Sequence, residues 1–256
     1  TAADIAAIAH NHARKFAKPG INEYQIAAEI EYIFNKNGAM GVAYPSIVAS
    51  GANACILHYI DNNSVLKDGD LLLIDAGCAV GYYNSDVTRT FPVNGKFTAE
   101  QKIIYELVLH AQMAGIEQVQ PGPTWKDFHA TSAQIITEGV VNLGLLAGEV
   151  STLIEEEKYK NFYMHGTGHW LGLDVHDVGI YMHGAENWYQ FQPGNIITVE
   201  PGIYISPDIE PAEGQPAIDD CWKGIGVRIE DDVLVTATGH EVLTAAIPKF
   251  VEDIES

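Results

Sequence analysis

Basic residues are scarce. The 256-residue chain carries 14 Lys and Arg against 34 Asp and Glu, a formal net charge of −20. A surface of that sign repels nucleic-acid backbones and anionic membranes, so neither is expected as a partner. Cysteine is scarcer still. Cys55, Cys78 and Cys221 are isolated, odd in number and outside any CxxC pair. They exclude a disulfide framework or a zinc knuckle and are expected as buried thiols in a reducing, cytoplasmic compartment. No apolar run approaches the ~20 residues that span a bilayer. The opening TAADIAAIAHNHARK lacks the basic-then-apolar layout of a secretory leader. It begins instead on Thr1-Ala-Ala-Asp4, a helix-capping pattern expected of a piece cut from a longer polypeptide, and Val251 to Ser256 read as a solvated acidic tail. What is present is ample: 47% hydrophobic residues supply a sizeable core, and 10 His beside 34 carboxylates invite a search for metal ligands.

The chain divides into two halves that repeat one order of elements. Residues 4–17 and 23–36 are expected as helices around a Pro19-Gly20 break, with Asn22 as N-cap; residues 98–119 and 125–142 repeat this around Pro121-Gly122, with Thr124 as cap. Both breaks and both caps are offset by 102 residues. Farther on, Asp68-Gly-Asp-Leu-Leu-Leu-Ile-Asp75 aligns with Pro193-Gly-Asn-Ile-Ile-Thr-Val-Glu200 at an offset of 125. Asp86 and Glu230 each open a further strand-like stretch. Each half therefore reads helix, helix, strand with acid, strand with acid, as an internal duplication would. No Gly/Ser/Pro-rich linker intervenes, so one domain over 1–256 is expected, with halves of roughly 1–97 and 98–256 and the repeated acids meeting near a pseudo-twofold axis.

Asp75 and Asp86 lie 11 residues apart across a Gly77, Gly81 and Asn84 stretch that permits a hairpin. Two antiparallel strands would then present both carboxylates at one end of a sheet. An acid directly after Leu-Leu-Leu-Ile borders a core and needs a partner. Glu200 and Glu230 repeat the oddity, and four such acids repel one another unless cations sit between them. Histidine supplies a second line. Met164-His-Gly-Thr-Gly-His-Trp-Leu-Gly-Leu-Asp-Val-His176 holds His165, His169 and His176 among three glycines, which rules out a helical HExxH motif, and its glycine spacing is not that of a dinucleotide loop. One imidazole with four carboxylates is an oxygen-rich set that suits two divalent ions, Mn2+ foremost, with Co2+, Fe2+ and Zn2+ left open. Two such ions lower the pKa of a shared water, which is hydrolytic machinery.

The ordered set Asp75, Asp86, His169, Glu200 and Glu230 resembles the five-ligand signature of the pita-bread metallopeptidases. Within that family HGTGHWLGLDVHD, with the IDAG, SDVTRTFPV, VEPGIYI and GVRIEDD segments, looks like the aminopeptidase P and prolidase branch. The resemblance spans nearly the whole chain. Methionine aminopeptidases are less similar, lacking the HGxGH form, and the intact ligand set argues against the metal-free creatinase-like members. It implies an α+β pita-bread fold in which a curved, mostly antiparallel sheet is covered by helices. Asp75 would chelate one ion with both oxygens, Asp86 and Glu230 would bridge the pair, and His169 and Glu200 would complete the second. The resemblance further implies proton transfer by Glu200 and a carbonyl-steadying role for His176. His58 and His165 would line the substrate pocket, and Arg228 would fork a ligand or substrate carboxylate. Trp170, Tyr59 and Tyr83 read equally well as core aromatics, and Tyr204 as a packing neighbour.

The implied activity is release of an N-terminal residue from peptides with proline second. Prolidase, restricted to Xaa-Pro dipeptides, is the near rival, and a metal-free module binding peptides or proteins without turnover is the rival from another class. Aminopeptidase P and prolidase resemble this chain only in their C-terminal half, so no counterpart of the N-terminal domain they carry is expected in residues 1–256. A homo-oligomer is compatible with the resemblance. Ser206 to Gly224, an acidic stretch between Glu200 and Glu230, is expected as a solvated loop.

Overall fold

The computed structural model describes residues 1–185 and 187–256. Helix α1 (Ala2–Phe16) is built on small residues: Ala2, Ala6, Ala9 and Ala13 recur at helical spacing and are buried, so α1 lies close to its neighbours. Thr1 does hold the N-cap position, but its side chain makes no cap hydrogen bond. Helix α2 (Glu23–Lys36) opens with a full capping box between Asn22 and Gln25, and packs on α1. After strands β1 (Gly41–Val42) and β2 (Ile47–Ser50), the chain enters β3 (Leu71–Asp75), the short hairpin β4 (Cys78–Val80) and β5 (Tyr83–Asn84), and β6 (Thr88–Pro92). Two more capped helices follow, α3 (Ala99–Glu117) with its Thr98–Gln101 box and α4 (Trp125–Asn142) with its Thr124–Asp127 box, again packed as a pair. The remainder holds α5 (Val150–Glu155), β7 (Met182–His183), β8 (Asn187–Trp188), β9 (Ile196–Val199), β10 (Gly202–Ile205), β11 (Ile225–Arg228), β12 (Asp231–Val235), β13 (His240–Val242) and α6 (Val251–Ile254).

All the named strand pairs are antiparallel, and the sheet is divided into five short pieces among the described residues. Two of them carry the repeated acids. In the first, ordered β2-β3-β6, Asp75 pairs with Thr88, so Asp86 lies just beyond the start of β6. In the second, ordered β13-β12-β9, Val199 pairs with Asp231, so Glu200 and Glu230 lie together just past the same end. Each half thus delivers two carboxylates at one end of an antiparallel pair. The Asp75–Asp86 connection folds back through Gly81 and Tyr82, both at positive φ, and Gly77 lies so close to the Ser85 carbonyl that a Cβ would collide with it. The halves are joined where β6 meets β11 and β12: Glu230 N donates to Thr88 O at 3.0 Å and Thr90 Oγ1 to Arg228 O at 2.9 Å.

The main core draws residues from Ala2 to Ile254, crossing both halves. A second aromatic cluster around Trp125, Phe128, Trp170 and Phe191 backs β9 and β12. Two readings of the sequence need correction. The C-terminal stretch is not a free tail, because the helical turn α6 buries Val251 and Ile254 in the main core. The cysteines are all free, yet only Cys78 is buried; Cys55 is half-buried and Cys221 exposed. Ser206 to Gly224 links β10 to β11 as a largely exposed loop. No helix among the described residues is long and apolar enough to cross a membrane.

Candidate metal and substrate site

The nine residues singled out from the sequence line one open cavity of about 830 Å³: His58, Asp75, Asp86, His165, His169, His176, Glu200, Arg228 and Glu230. Their positions follow from the strand ends. Asp75 closes β3, Glu230 directly precedes β12, Glu200 directly follows β9, and Arg228 ends β11. Asp86, His169 and Glu230 each offer a ligand atom, and these atoms lie within 4.8 Å of one another. His169 Nε2 is 3.3 Å from Asp86 Oδ2 and 3.5 Å from Glu200 Oε1. Its Nδ1 is 2.9 Å from Trp170 O, which accepts the proton of that nitrogen and leaves Nε2 turned to the carboxylates. The HGTGH loop is fixed from β9: His169 N donates to Thr198 Oγ1 at 3.0 Å and Glu200 N to Thr167 O at 2.7 Å. Gly168 has no room for a side chain there, since a Cβ would overlap the Thr198 carbonyl.

Tyr44 and Thr88, which the sequence did not single out, help complete the site. The Tyr44 hydroxyl lies 2.6 Å from Asp75 Oδ1 and 2.5 Å from Asp86 Oδ1, tying together the two acids of the first half. Thr88 Oγ1 donates to Glu230 Oε2 at 2.7 Å. Arg228 donates to Asp75 Oδ2 at 2.7 Å, to Tyr204 OH at 2.9 Å and to Thr88 Oγ1 at 3.1 Å. Tyr204 in turn donates to His165 Nε2 at 2.7 Å, while His165 Nδ1 donates to Gly166 O at 2.8 Å. Both nitrogens of His165 are therefore engaged. His176 packs edge-on against His169, with ring centroids 4.3 Å apart. His58 is exposed at the cavity's rim. Of the aromatics, Trp170 and Tyr59 are buried, the latter donating to Glu23 at 2.8 Å, and Tyr181 lines the cavity without having been foreseen.

Burial governs the electrostatics. It lifts the Asp75 carboxyl, with Arg228 opposing and Asp86 adding to the rise. It lifts Glu200 to about 7 against the pull of His169 and Arg228. Glu230 is pushed well above the usual range by burial and then by Asp86, Glu200 and Asp75, and the Tyr44 phenol rises for the same kind of reason. His169 shows the field these acids create: although burial alone would lower it, Asp86 and Glu200 raise it to about 9. By contrast burial and Arg228 lower His165 to about 3, and burial followed by His169 lowers His176. Three carboxyl groups, Asp75, Glu200 and Glu230, are pushed up by burial and by neighbouring acids, and with Asp86 they face one imidazole nitrogen, an arrangement that calls for positive charge among them. The donor set fits two hard divalent cations: oxygen-rich, with one neutral nitrogen and no thiolate.

A sequence model described as metallopeptidase family M24 matches residues 1–237. A curated Xaa-Pro aminopeptidase of Haemophilus influenzae is 51% identical over 255 residues, covering 100% of this chain and 57% of that protein. Human Xaa-Pro dipeptidase is 37% identical over 278 residues, covering 98% of this chain and 56% of its own. Among solved structures, the aminopeptidase PepP of Pseudomonas aeruginosa matches with a TM-score of 0.95 at 55% identity, over 99% of this chain and 56% of that one. The chain spans a little over half the length of the curated relatives it matches. The likeness to the Pseudomonas protein confirms the pita-bread arrangement of helices over short antiparallel sheets.

Proposed function

The chain belongs to metallopeptidase family M24, and from that membership we propose that it is the catalytic part of an Xaa-Pro aminopeptidase, hydrolysing the bond between an N-terminal residue and a following proline. The observation that carries this reading is the convergence of Asp75, Asp86, His169, Glu200 and Glu230 on one cavity beside three further histidines. The Haemophilus relative at 51% identity supports the aminopeptidase over the dipeptidase reading. So does an open cavity of about 830 Å³, roomy for a dipeptide alone.

Asp75, Asp86 and Glu230 with His169 and Glu200 would hold two divalent ions, for which the oxygen-rich set favours Mn2+. Bound there, such ions supply positive charge against the developing oxyanion and lower the pKa of water. The chain's own residues do the rest. Water adds its oxygen to the scissile carbonyl carbon, and the Glu200 carboxylate takes one of its protons. The C–N bond then breaks and Glu200 returns that proton to the proline nitrogen. His176, with no hydrogen-bond partner recorded among the described residues and a lowered pKa, is neutral and can donate to the carbonyl oxygen. His165, its nitrogens held by Tyr204 and Gly166, offers a ring face rather than a hydrogen bond. That suits proline, whose nitrogen has no proton to give and whose ring asks for apolar walls. Arg228 opposes the rise that burial imposes on Asp75 and orients its carboxyl group from behind. Peptides with proline second are thus the proposed partners, and three free cysteines go with a cytoplasmic setting.

The test is hydrolysis of an Xaa-Pro-Yaa-Zaa peptide by metal-stripped protein, with and without added Mn2+, beside the Xaa-Pro dipeptide. Metal-dependent release of the first residue from the longer peptide is expected. Turnover of the dipeptide alone would transfer the reading to prolidase, and no turnover of either peptide with two ions bound per chain would overturn it.

A further inference from the structure

Away from the acid cluster, His10 and Arg14 sit one helical turn apart on α1 and line one small cavity with Arg89, Ile247 and Pro248. Its volume is about 10 Å³, close to the ~10–15 Å³ a single water requires on that measure. Two buried polar atoms of its lining residues, His10 Nδ1 and Arg14 Nε, have no hydrogen-bond partner among the described residues. Orphans of this kind are rare in a native interior, and two on residues that line one cavity point to a shared ligand.

We propose that a single structural water occupies this cavity, accepting from Arg14 Nε and donating to His10 Nδ1. The ligand's identity follows from the two atoms. His10 Nε2 lies 2.9 Å from Ala76 O, an acceptor only, so Nε2 carries the proton and Nδ1 is a bare lone pair. An anion cannot sit against that lone pair, and a cation cannot sit against the guanidinium N–H. Water satisfies both, and the size admits nothing larger. Burial also lowers His10 to about 4, which keeps the ring neutral. Asn11 cannot serve instead, because its amide donates to Ala7 O and Ala246 O. The carbonyls of Ile247 and Pro248 each accept one bond from Arg89 and retain a lone pair for the water's second hydrogen.

The consequence reaches the functional site. Ala76 follows Asp75 directly, so the chain Arg14–water–His10–Ala76 fixes the ring that braces the end of β3 from behind. His10 is a positioning residue here; it touches none of the acids. This assignment does not depend on the peptidase reading.

A crystal structure of the unaltered chain, at a resolution that shows ordered solvent, tests it. One isolated water peak is expected within hydrogen-bond distance of both nitrogens, and nitrogen-15 NMR should report the His10 ring protonated on Nε2 alone. In Arg14→Lys, which removes the Nε donor and keeps the charge, the peak should vanish while the His10–Ala76 bond remains. A cavity without density, a proton on Nδ1, or a water unchanged in Arg14→Lys would each overturn the assignment.

Discussion

Glu230, Asp231 and Asp232 stand side by side and meet different fates, because side chains alternate across a strand. Glu230 faces the cavity. Asp231 points the other way, where Arg89, Lys249, Gln112 and Thr244 surround its oxygens and, against the cost of burial, Arg89 and Lys249 hold it well below the usual carboxylate range. Asp232 returns to the first side and accepts the Asp86 N–H at 3.2 Å. His176 makes the residue-scale prediction. It lies outside the ligand set, so His176→Ala should leave metal content by elemental analysis intact. If the side chain steadies the carbonyl oxygen as it becomes tetrahedral, kcat should fall about 10²–10³-fold, the loss typical of one such donor, with KM little changed. A raised KM with undiminished kcat would make His176 a binding wall. In the sequence this residue stood out only through its spacing in HGTGHWLGLDVHD; Tyr44, 31 residues before Asp75, carried no mark at all, because only the pairing of β2 with β3 brings it near.

Between elements, the joint that matters is β6 against β12, since these strands begin beside Asp86 and Glu230. Arg89 clamps it with a fully used guanidinium. It donates to Thr88 O at 3.0 Å, Glu230 O at 2.5 Å, Asp231 Oδ1 at 2.6 Å, Ile247 O at 3.1 Å and Pro248 O at 3.2 Å. Removing one member of a buried pair strands the other's charge, at a typical cost of 3–5 kcal/mol. Lys249 at 2.7 Å still serves Asp231, which puts Arg89→Met near the low end, about 3 kcal/mol. Urea unfolding should show the midpoint shifted at unchanged slope. A loss under about 1 kcal/mol, the scale of an exposed pair, would mean the clamp carries little. The four long helices were legible to within two residues at each end, α2 and α4 at both ends without offset, because capping residues and Pro-Gly breaks act locally. The paired acids were legible as strand ends. Arg89 was not, because its five acceptors come from three separated segments. The buried turn α6 was hidden for a similar reason: two apolar residues in an acidic tail give no periodicity to read.

At the scale of the whole molecule, the repeated order of elements and the proposed metal site are one matter. Each half supplies two acids at a strand end, and the main core runs through both halves. We infer that residues 1–256 work as one unit, with its halves near 1–97 and 98–256. Neither half could hold two divalent ions with its own pair of acids. Together they confine four carboxyl groups in one cavity, where burial first and neighbouring acids second push Asp75, Glu200 and Glu230 up, in a chain already carrying −20. That repulsion opposes folding until cations relieve it, so binding and stability are linked. Mn2+ at 100 times its dissociation constant should stabilise the chelator-treated protein by about 2.7 kcal/mol per site. For a chain of this size that raises Tm by roughly 5–10 °C for the first site. Asp86→Ala, which removes a carboxylate from the shared centre, should lose most of the rise, whereas NaCl at matched ionic strength should not reproduce it. Equal shifts in both proteins would mean that the ions act on the surface charge at large and that the four acids bind none of them.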